Sequence, residues 1–65
     1  MSIIDILKDI MIDFNLNQST FASLIGVKQS QVSEWLSGKS KPGYDKLKLI
    51  CETLGISGDR ILGLE

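Results

Sequence analysis

Residues 17–38 read NQSTFASLIGVKQSQVSEWLSG, and this stretch decides the fold. Asn17 has the short polar side chain that caps a helix, and the run after it ends at Gly26, a residue type that readily adopts the left-handed conformation following a helix. A second run closes at Ser37 and Gly38. The pattern therefore predicts one helix over residues 18–25 and another over about residues 29–36, joined by a very short turn.

The apolar residues of this stretch have the spacing expected of two helices that cross at close range. Ala22 is small where the helices must approach each other, Gly26 provides the sharp turn and Val27 fills it. Val32 and Trp35 are predicted to anchor the second helix on the core, with the tryptophan buried. Isolated helices below about 12 to 15 residues are marginal in water, so each needs the support of the other. The arrangement is a helix-turn-helix motif spanning about residues 18–37.

The flanking segments contain residues typical of the starts and ends of three more helices. Ser2 is predicted to cap the first. Its apolar face, which we expect in the core, consists of Ile3, Leu7, Ile10, Met11 and Phe14. A fourth helix is predicted to begin with a packed Tyr44 and to stop at Gly55, and Ser57 can cap a last short turn. Alternating strand patterns are missing, so we predict an all-α fold of five helices.

Composition excludes several classes of protein. The chain has 65 residues, of which 43% are hydrophobic, so it is expected to fold as a single domain over residues 1–65. One cysteine and no histidine allow neither an internal disulfide nor a plausible structural zinc site, and we predict no metal and no cofactor. The longest apolar runs, such as Ile10–Ile12, are far short of the roughly 20 residues that cross a bilayer. We expect a cytoplasmic protein without a membrane partner.

The net charge of −1 argues at first against a partner rich in phosphates. The charges are unevenly distributed, however. Residues 1–15 and 49–65 each carry a net charge of −2, whereas residues 16–48 carry +3. A basic middle segment between acidic ends is compatible with one surface that meets nucleic acid and another that faces away.

The sequence resembles the phage repressor and Cro-like helix-turn-helix domains, the XRE family, over nearly its whole length. The matching positions are Leu16–Gln18, Phe21–Ala22, Leu24–Val27, Gln29–Ser30, Val32–Ser33, Trp35–Leu36, Gly38–Lys39, Lys41–Pro42 and Leu54–Ser57. The resemblance implies a compact, lambda-repressor-like domain that binds operator DNA with its third helix in the major groove. Gly58 departs from the pattern, because a larger apolar residue is common there, and this weakens the expected fifth helix.

The resemblance also implies which residues read bases. Gln29 opens the third helix and is expected to form a bidentate pair of hydrogen bonds with adenine. Ser30 can bond either kind of base edge, and Glu34 can accept a hydrogen bond from cytosine N4. The roll of the helix decides how Ser33 and Gln31 are used, and we assign Ser33 to bases and Gln31 to the DNA backbone.

The remaining predicted contacts are to phosphates. Gln18 stands at the start of the second helix, where free N–H groups and the helix dipole favour an anion. Lys28 stands where the family usually has a small polar cap, so we expect a weaker cap and a cation close to phosphate. Lys39, Ser40 and Lys41 follow the third helix and resemble a second backbone contact of the family.

The expected function is that of a sequence-specific regulator of transcription that binds double-stranded DNA. A repressor of the phage or prophage type is predicted, acting as a homodimer on a pseudo-palindromic operator, with no small-molecule substrate. The alternative is a protein-interaction module on the same fold, such as an antitoxin-like or regulator-binding domain, which the acidic overall charge favours. An enzyme is not expected, because Cys51 has no histidine to activate it. Both a complete Cro-like regulator and the N-terminal domain of a longer repressor fit the sequence.

Overall fold

Five α-helices form the part of the chain that this computed structural model describes, residues 2–64. They are α1 (Ile3–Asp13), α2 (Gln18–Ile25), α3 (Gln29–Ser37), α4 (Tyr44–Leu54) and α5 (Gly58–Ile61). The described residues include no strand, and the predicted all-α, five-helix fold is confirmed. None of these helices has the length and apolar character that crossing a bilayer requires.

Three of the helices begin at the side-chain caps that the sequence predicts. The Ser2 hydroxyl accepts a hydrogen bond from the Asp5 backbone N–H at 3.2 Å, and the Ser57 hydroxyl accepts one from the Arg60 N–H at 3.1 Å. The Asn17 side chain caps α2 in the same way. The fifth helix therefore forms despite Gly58, because its cap is local and does not depend on the side chain at that position.

All five helices contribute to one hydrophobic cluster. Its fully buried large side chains are Phe21, Leu7, Ile10, Ile50 and Val32. Trp35 is only 2% exposed, which confirms that it anchors α3 on the core and leaves no face of the indole free for a base. Since α2 and α3 have only 8 and 9 residues, this shared core is what holds them in place.

Two aromatic side chains differ from the prediction that they pack in the interior. Phe14 is 40% exposed, because α1 ends at Asp13 and the chain turns away from the core at Phe14. Tyr44 is 81% exposed at the first position of α4. Its ring lines an open groove with Leu47 and Leu62, because the four-residue helix α5 is too short to cover the start of α4.

The packing of the helices leaves one side of α3 free. Helix α2 packs on α3 and α4, α1 packs on α3 and α5, and α4 packs on α5. An ion pair between Arg60 and Asp13 ties α5 to the end of α1. The inner side of α3 meets α1 and α2, and its outer side is open to solvent.

Candidate nucleic-acid interface

The start of α2 is closed by its own side chains. The Asn17 side-chain oxygen accepts from the Thr20 N–H at 2.8 Å, and the Thr20 hydroxyl accepts from the Asn17 N–H at 2.9 Å. This reciprocal pair is a capping box. Gln18, predicted to contact phosphate, is the first residue of the helix and is half-buried. The Thr20 N–H is used by this box, but the Gln18 and Ser19 N–H groups have no acceptor within the helix and can bind an anion.

The start of α3 has no such closure. Lys28 occupies the N-cap position in an extended conformation and makes no side-chain capping hydrogen bond, as the sequence predicts. Its carbonyl accepts from the Gln31 and Val32 N–H groups at 3.0 and 3.3 Å. The N–H groups of Gln29 and Ser30 come earlier in the turn and have no acceptor within the helix. The exposed lysine and these amides make this end of α3 favourable for negative charge.

The predicted base-reading residues share the outer side of α3. Gln29, Ser30 and Ser33 are exposed, whereas Val32 and Trp35 are buried on the opposite side. The side chains of these three polar residues make no hydrogen bond with any other described residue, which leaves their donors and acceptors available to a ligand.

Three predicted DNA-contacting side chains are instead joined to one another. The Gln31 amide donates to the Ser40 hydroxyl at 3.3 Å, and the Ser40 hydroxyl donates to the Glu34 carboxylate at 3.4 Å. All three residues are half-buried. The sequence assigns Glu34 to a base and the other two residues to the DNA backbone, and it gives no sign that they contact each other.

The loop after α3 is fixed to the end of that helix. Gly38 has φ +82°, in the left-handed region, and lets the chain reverse so that the Lys39 and Ser40 N–H groups bond the Glu34 carbonyl at 3.0 and 3.3 Å. Lys39 and Lys41 are exposed on this loop, and Pro42 is buried beneath it. The two lysines therefore lie on a loop that is hydrogen-bonded to the C-terminal end of α3.

Two lysines that the sequence analysis does not single out lie beside predicted contacts. Lys46 of α4 lines a hollow of about 300 Å³ together with Lys28, Gln31 and Glu34. Lys8 of α1 borders an open groove next to Gln18. These neighbours come from distant segments, so the only signal in the sequence is the excess of positive charge in residues 16–48, which indicates Lys46 but not Lys8.

A comparison with known protein families matches residues 7–61 to a family described as Helix-turn-helix. The chain belongs to this family. This is the XRE family, which the sequence resembles. This XRE-family protein is a DNA-binding regulator of transcription. Double-stranded DNA is therefore its partner. No curated protein and no solved structure matches the chain significantly.

The charges of this XRE-family domain are divided between surfaces. Among the described residues, ion pairs join Lys48 to Glu52 at 4.0 Å and Arg60 to Asp13, and neither pair includes a residue of α3 or of the loop after it. The four lysines at the start of α3, on the loop and on the facing part of α4 take part in none of them. They are Lys28, Lys39, Lys41 and Lys46. Their charge is therefore available to phosphate groups.

The family to which the chain belongs is one of DNA-binding domains and not of enzymes. Cys51 is half-buried against the core, and its thiol donates to the Ser57 carbonyl at 3.8 Å. Desolvation raises the pKa of this thiol above its ordinary value of 9.0. A hydrogen bond with the backbone opposes this shift in part, and the Glu52 carboxylate adds a smaller contribution that raises the pKa. The thiol is thus protonated at neutral pH, the opposite of an activated nucleophile.

Proposed function

We propose that this XRE-family protein is a sequence-specific repressor of the phage or prophage type, which places α3 in the major groove of its operator. The observation that carries the proposal is the exposed polar side of α3. There Gln29, Ser30 and Ser33 have free hydrogen-bonding groups. On the opposite side of the helix, Val32 and Trp35 are buried in the hydrophobic core. A DNA partner is consistent with the cytoplasmic location expected from the sequence.

Each of these residues has a distinct role in the proposal. Gln29 pairs with adenine N6 and N7, an interaction worth about 1–3 kcal/mol of discrimination against other bases. Ser30 bonds a base edge from the same turn as Gln29, and Ser33 bonds one from the next turn. Glu34 accepts from cytosine N4, which favours a guanine–cytosine pair at one position of the site.

Phosphate contacts surround this reading surface in the proposal. Gln18 binds a phosphate at the start of α2, and Lys28 binds one at the start of α3. Lys39 and Lys41 hold the backbone on the side of the loop. Support comes from the uncapped start of α3, from the position of Gln18 in the first turn of α2 and from the exposure of all three lysines.

A homodimer on a pseudo-palindrome is the proposed form on DNA. One copy presents one α3 and so reads one half-site, and a two-fold pair reads two half-sites about 34–36 Å apart. The Cα atoms of one copy extend over 28 × 22 × 22 Å. With side chains added, two copies side by side fit that separation.

Selection of random DNA duplexes on the purified protein at two salt concentrations tests the proposal. Enrichment of a pseudo-palindrome with half-sites one helical turn apart is expected. Enrichment of a single half-site would contradict the dimer. If nothing is enriched at either salt and a stable complex with another protein forms instead, the protein-interaction alternative replaces this proposal.

Variants then assign the contacts. Gln29→Ala is expected to relax preference at one base position about 5- to 150-fold, with Thr53→Ala, an exposed change on α4, as the control. Lys39→Ala and Lys41→Ala are expected to weaken all duplexes alike and to reduce the dependence on salt, relative to Lys48→Ala. Unchanged base preference in Gln29→Ala would remove Gln29 from the reading residues.

A further inference from the structure

We propose, building on the DNA-reading function above, that Ser40 is a positioning residue and not a phosphate contact. In this proposal its hydroxyl orients the Glu34 carboxylate. The loop whose lysines hold the DNA backbone thereby also influences which base Glu34 selects. Ser40 then contributes to the choice of base. The amino-acid pattern instead suggests a phosphate contact, which would be the same for every DNA sequence.

The proton of the Ser40 hydroxyl is already used within the protein. A serine hydroxyl has one proton to donate, and that proton is directed at the Glu34 carboxylate, 3.4 Å away. The hydroxyl oxygen accepts from the Gln31 amide at 3.3 Å. Phosphate oxygens only accept hydrogen bonds, so Ser40 would have to release Glu34 before it could bind a phosphate. Ser40 is also half-buried, whereas Lys39 and Lys41 on either side of it are exposed.

Glu34 joins α3 to the loop in two ways. Its carbonyl accepts from the Lys39 and Ser40 N–H groups, and its carboxylate accepts from the Ser40 hydroxyl. A displacement of the loop therefore moves the carboxylate as well. Lys39 and Lys41 lie on the same loop. Their proposed contacts with phosphate and the orientation of Glu34 are therefore coupled through the loop.

A carboxylate close to DNA is repelled by phosphates and contributes to binding only where its oxygens meet a base donor. A free glutamate side chain has several rotamers, and most of them do not point at a base. The contact with Ser40 limits these rotamers. At 3.4 Å it is long for a hydrogen bond between oxygens, so we expect an effect on base preference of modest size.

The test compares Ser40→Ala in two backgrounds, wild type and Glu34→Ala. Binding is measured to the selected duplex and to duplexes with each single base pair changed. In the wild-type background, Ser40→Ala should reduce discrimination at the position read by Glu34 by about two- to ten-fold, the factor for one hydrogen bond of ordinary net strength. In the Glu34→Ala background the same substitution should have no further effect on discrimination.

Two variants serve as controls. Ser37→Ala removes a hydroxyl that donates to the Glu34 carbonyl at 3.1 Å and leaves the carboxylate contact intact, so base preference should be unchanged. Ser40→Thr retains a hydroxyl and should restore discrimination. If Ser40→Ala lowers the thermal stability, Ser40→Cys preserves the volume with a weakly donating thiol and gives the same measurement.

The outcomes separate this inference from the proposed function. A uniform loss of affinity for all duplexes, equal in both backgrounds, would establish Ser40 as a direct phosphate contact and overturn the inference alone. Unchanged discrimination in Glu34→Ala would also overturn it, because Ser40 would have no reader to orient. Failure of the wild-type protein to prefer any sequence would instead overturn the proposed function.

Discussion

The two helices of the helix-turn-helix motif begin in opposite ways. Helix α2 is closed by the reciprocal hydrogen bonds of Asn17 and Thr20, whereas α3 begins at Lys28, which makes no side-chain capping bond. A side-chain cap is worth about 1 kcal/mol, so α3 lacks stabilisation that α2 possesses. In return, α3 has a cation and open N–H groups at the end that the proposed function directs to DNA. Helix α3 therefore depends on tertiary packing for its stability more than α2 does.

The largest expected effect comes from removing the core that supports both helices. Phe21 is fully buried, and Phe21→Ala should destabilise the domain by about 3–5 kcal/mol through lost contacts and a cavity. For so small a domain this is most of the stability, and the helical circular dichroism should be largely lost at 37 °C. Tyr44→Ala, at an 81% exposed position, is the control and should change little. Equal urea midpoints for the two variants would contradict the shared-core explanation.

The ends of the two helices permit a finer comparison. Gly26 and Gly38 both have positive φ, +72° and +82°, so alanine at either position should cost about 1–2 kcal/mol. An added Cβ at Gly38 would lie 3.3 Å from the Ile4 Cδ1 atom, whereas one at Gly26 meets nothing within 4 Å. Gly38→Ala should therefore be the more destabilising change in urea denaturation. The reverse order would show that α1 does not restrict the end of α3.

Single substitutions can remove the side-chain cap of α2 and add one to α3. Asn17→Ala should destabilise the protein by about 1 kcal/mol, because it opens the box that closes α2. Lys28→Asn should stabilise it by a smaller amount, because it provides the cap that α3 lacks, and it should weaken DNA binding by removal of a charge. Thermal unfolding and a salt titration of DNA binding measure the two effects. A Lys28→Asn protein that is less stable than wild type would refute the comparison of the two helix starts.

The smallest effect concerns the capped start of α5, where the Ser57 carbonyl accepts from the Cys51 thiol. Because burial raises the pKa of Cys51, the thiolate fraction at pH 8 should be lower in the folded protein than in the unfolded chain. Alkylation by iodoacetamide should therefore accelerate in urea. The folded state binds this proton more tightly, so its small contribution to stability is complete below the ordinary pKa of 9.0 and is lost as the pH rises through the folded-state pKa. Equal rates of alkylation in the folded and unfolded protein would indicate an unperturbed thiol.

The sequence alone determined the helices and the family. Caps, left-handed glycines and apolar periodicity act within a few residues of each other, so Ser2, Asn17 and Ser57 could be predicted as helix starts without knowledge of the packing. The burial of Trp35 followed from its helical spacing with Val32. The resemblance to the XRE family depended on residues spread along nearly the whole chain, and the match over residues 7–61 confirms it.

Which side chains of distant segments meet depends on how the helices pack. Phe14 and Tyr44 have the periodicity of core residues, yet they are exposed because no neighbouring helix covers them. The contact of Ser40 with Glu34 and Gln31 requires the loop to fold back on α3, which no local pattern specifies. Lys46 lines the hollow beside Gln31 and Glu34 only because α4 packs against α2. Local hydrogen bonds are encoded by neighbouring residues, whereas these contacts depend on how whole helices pack together.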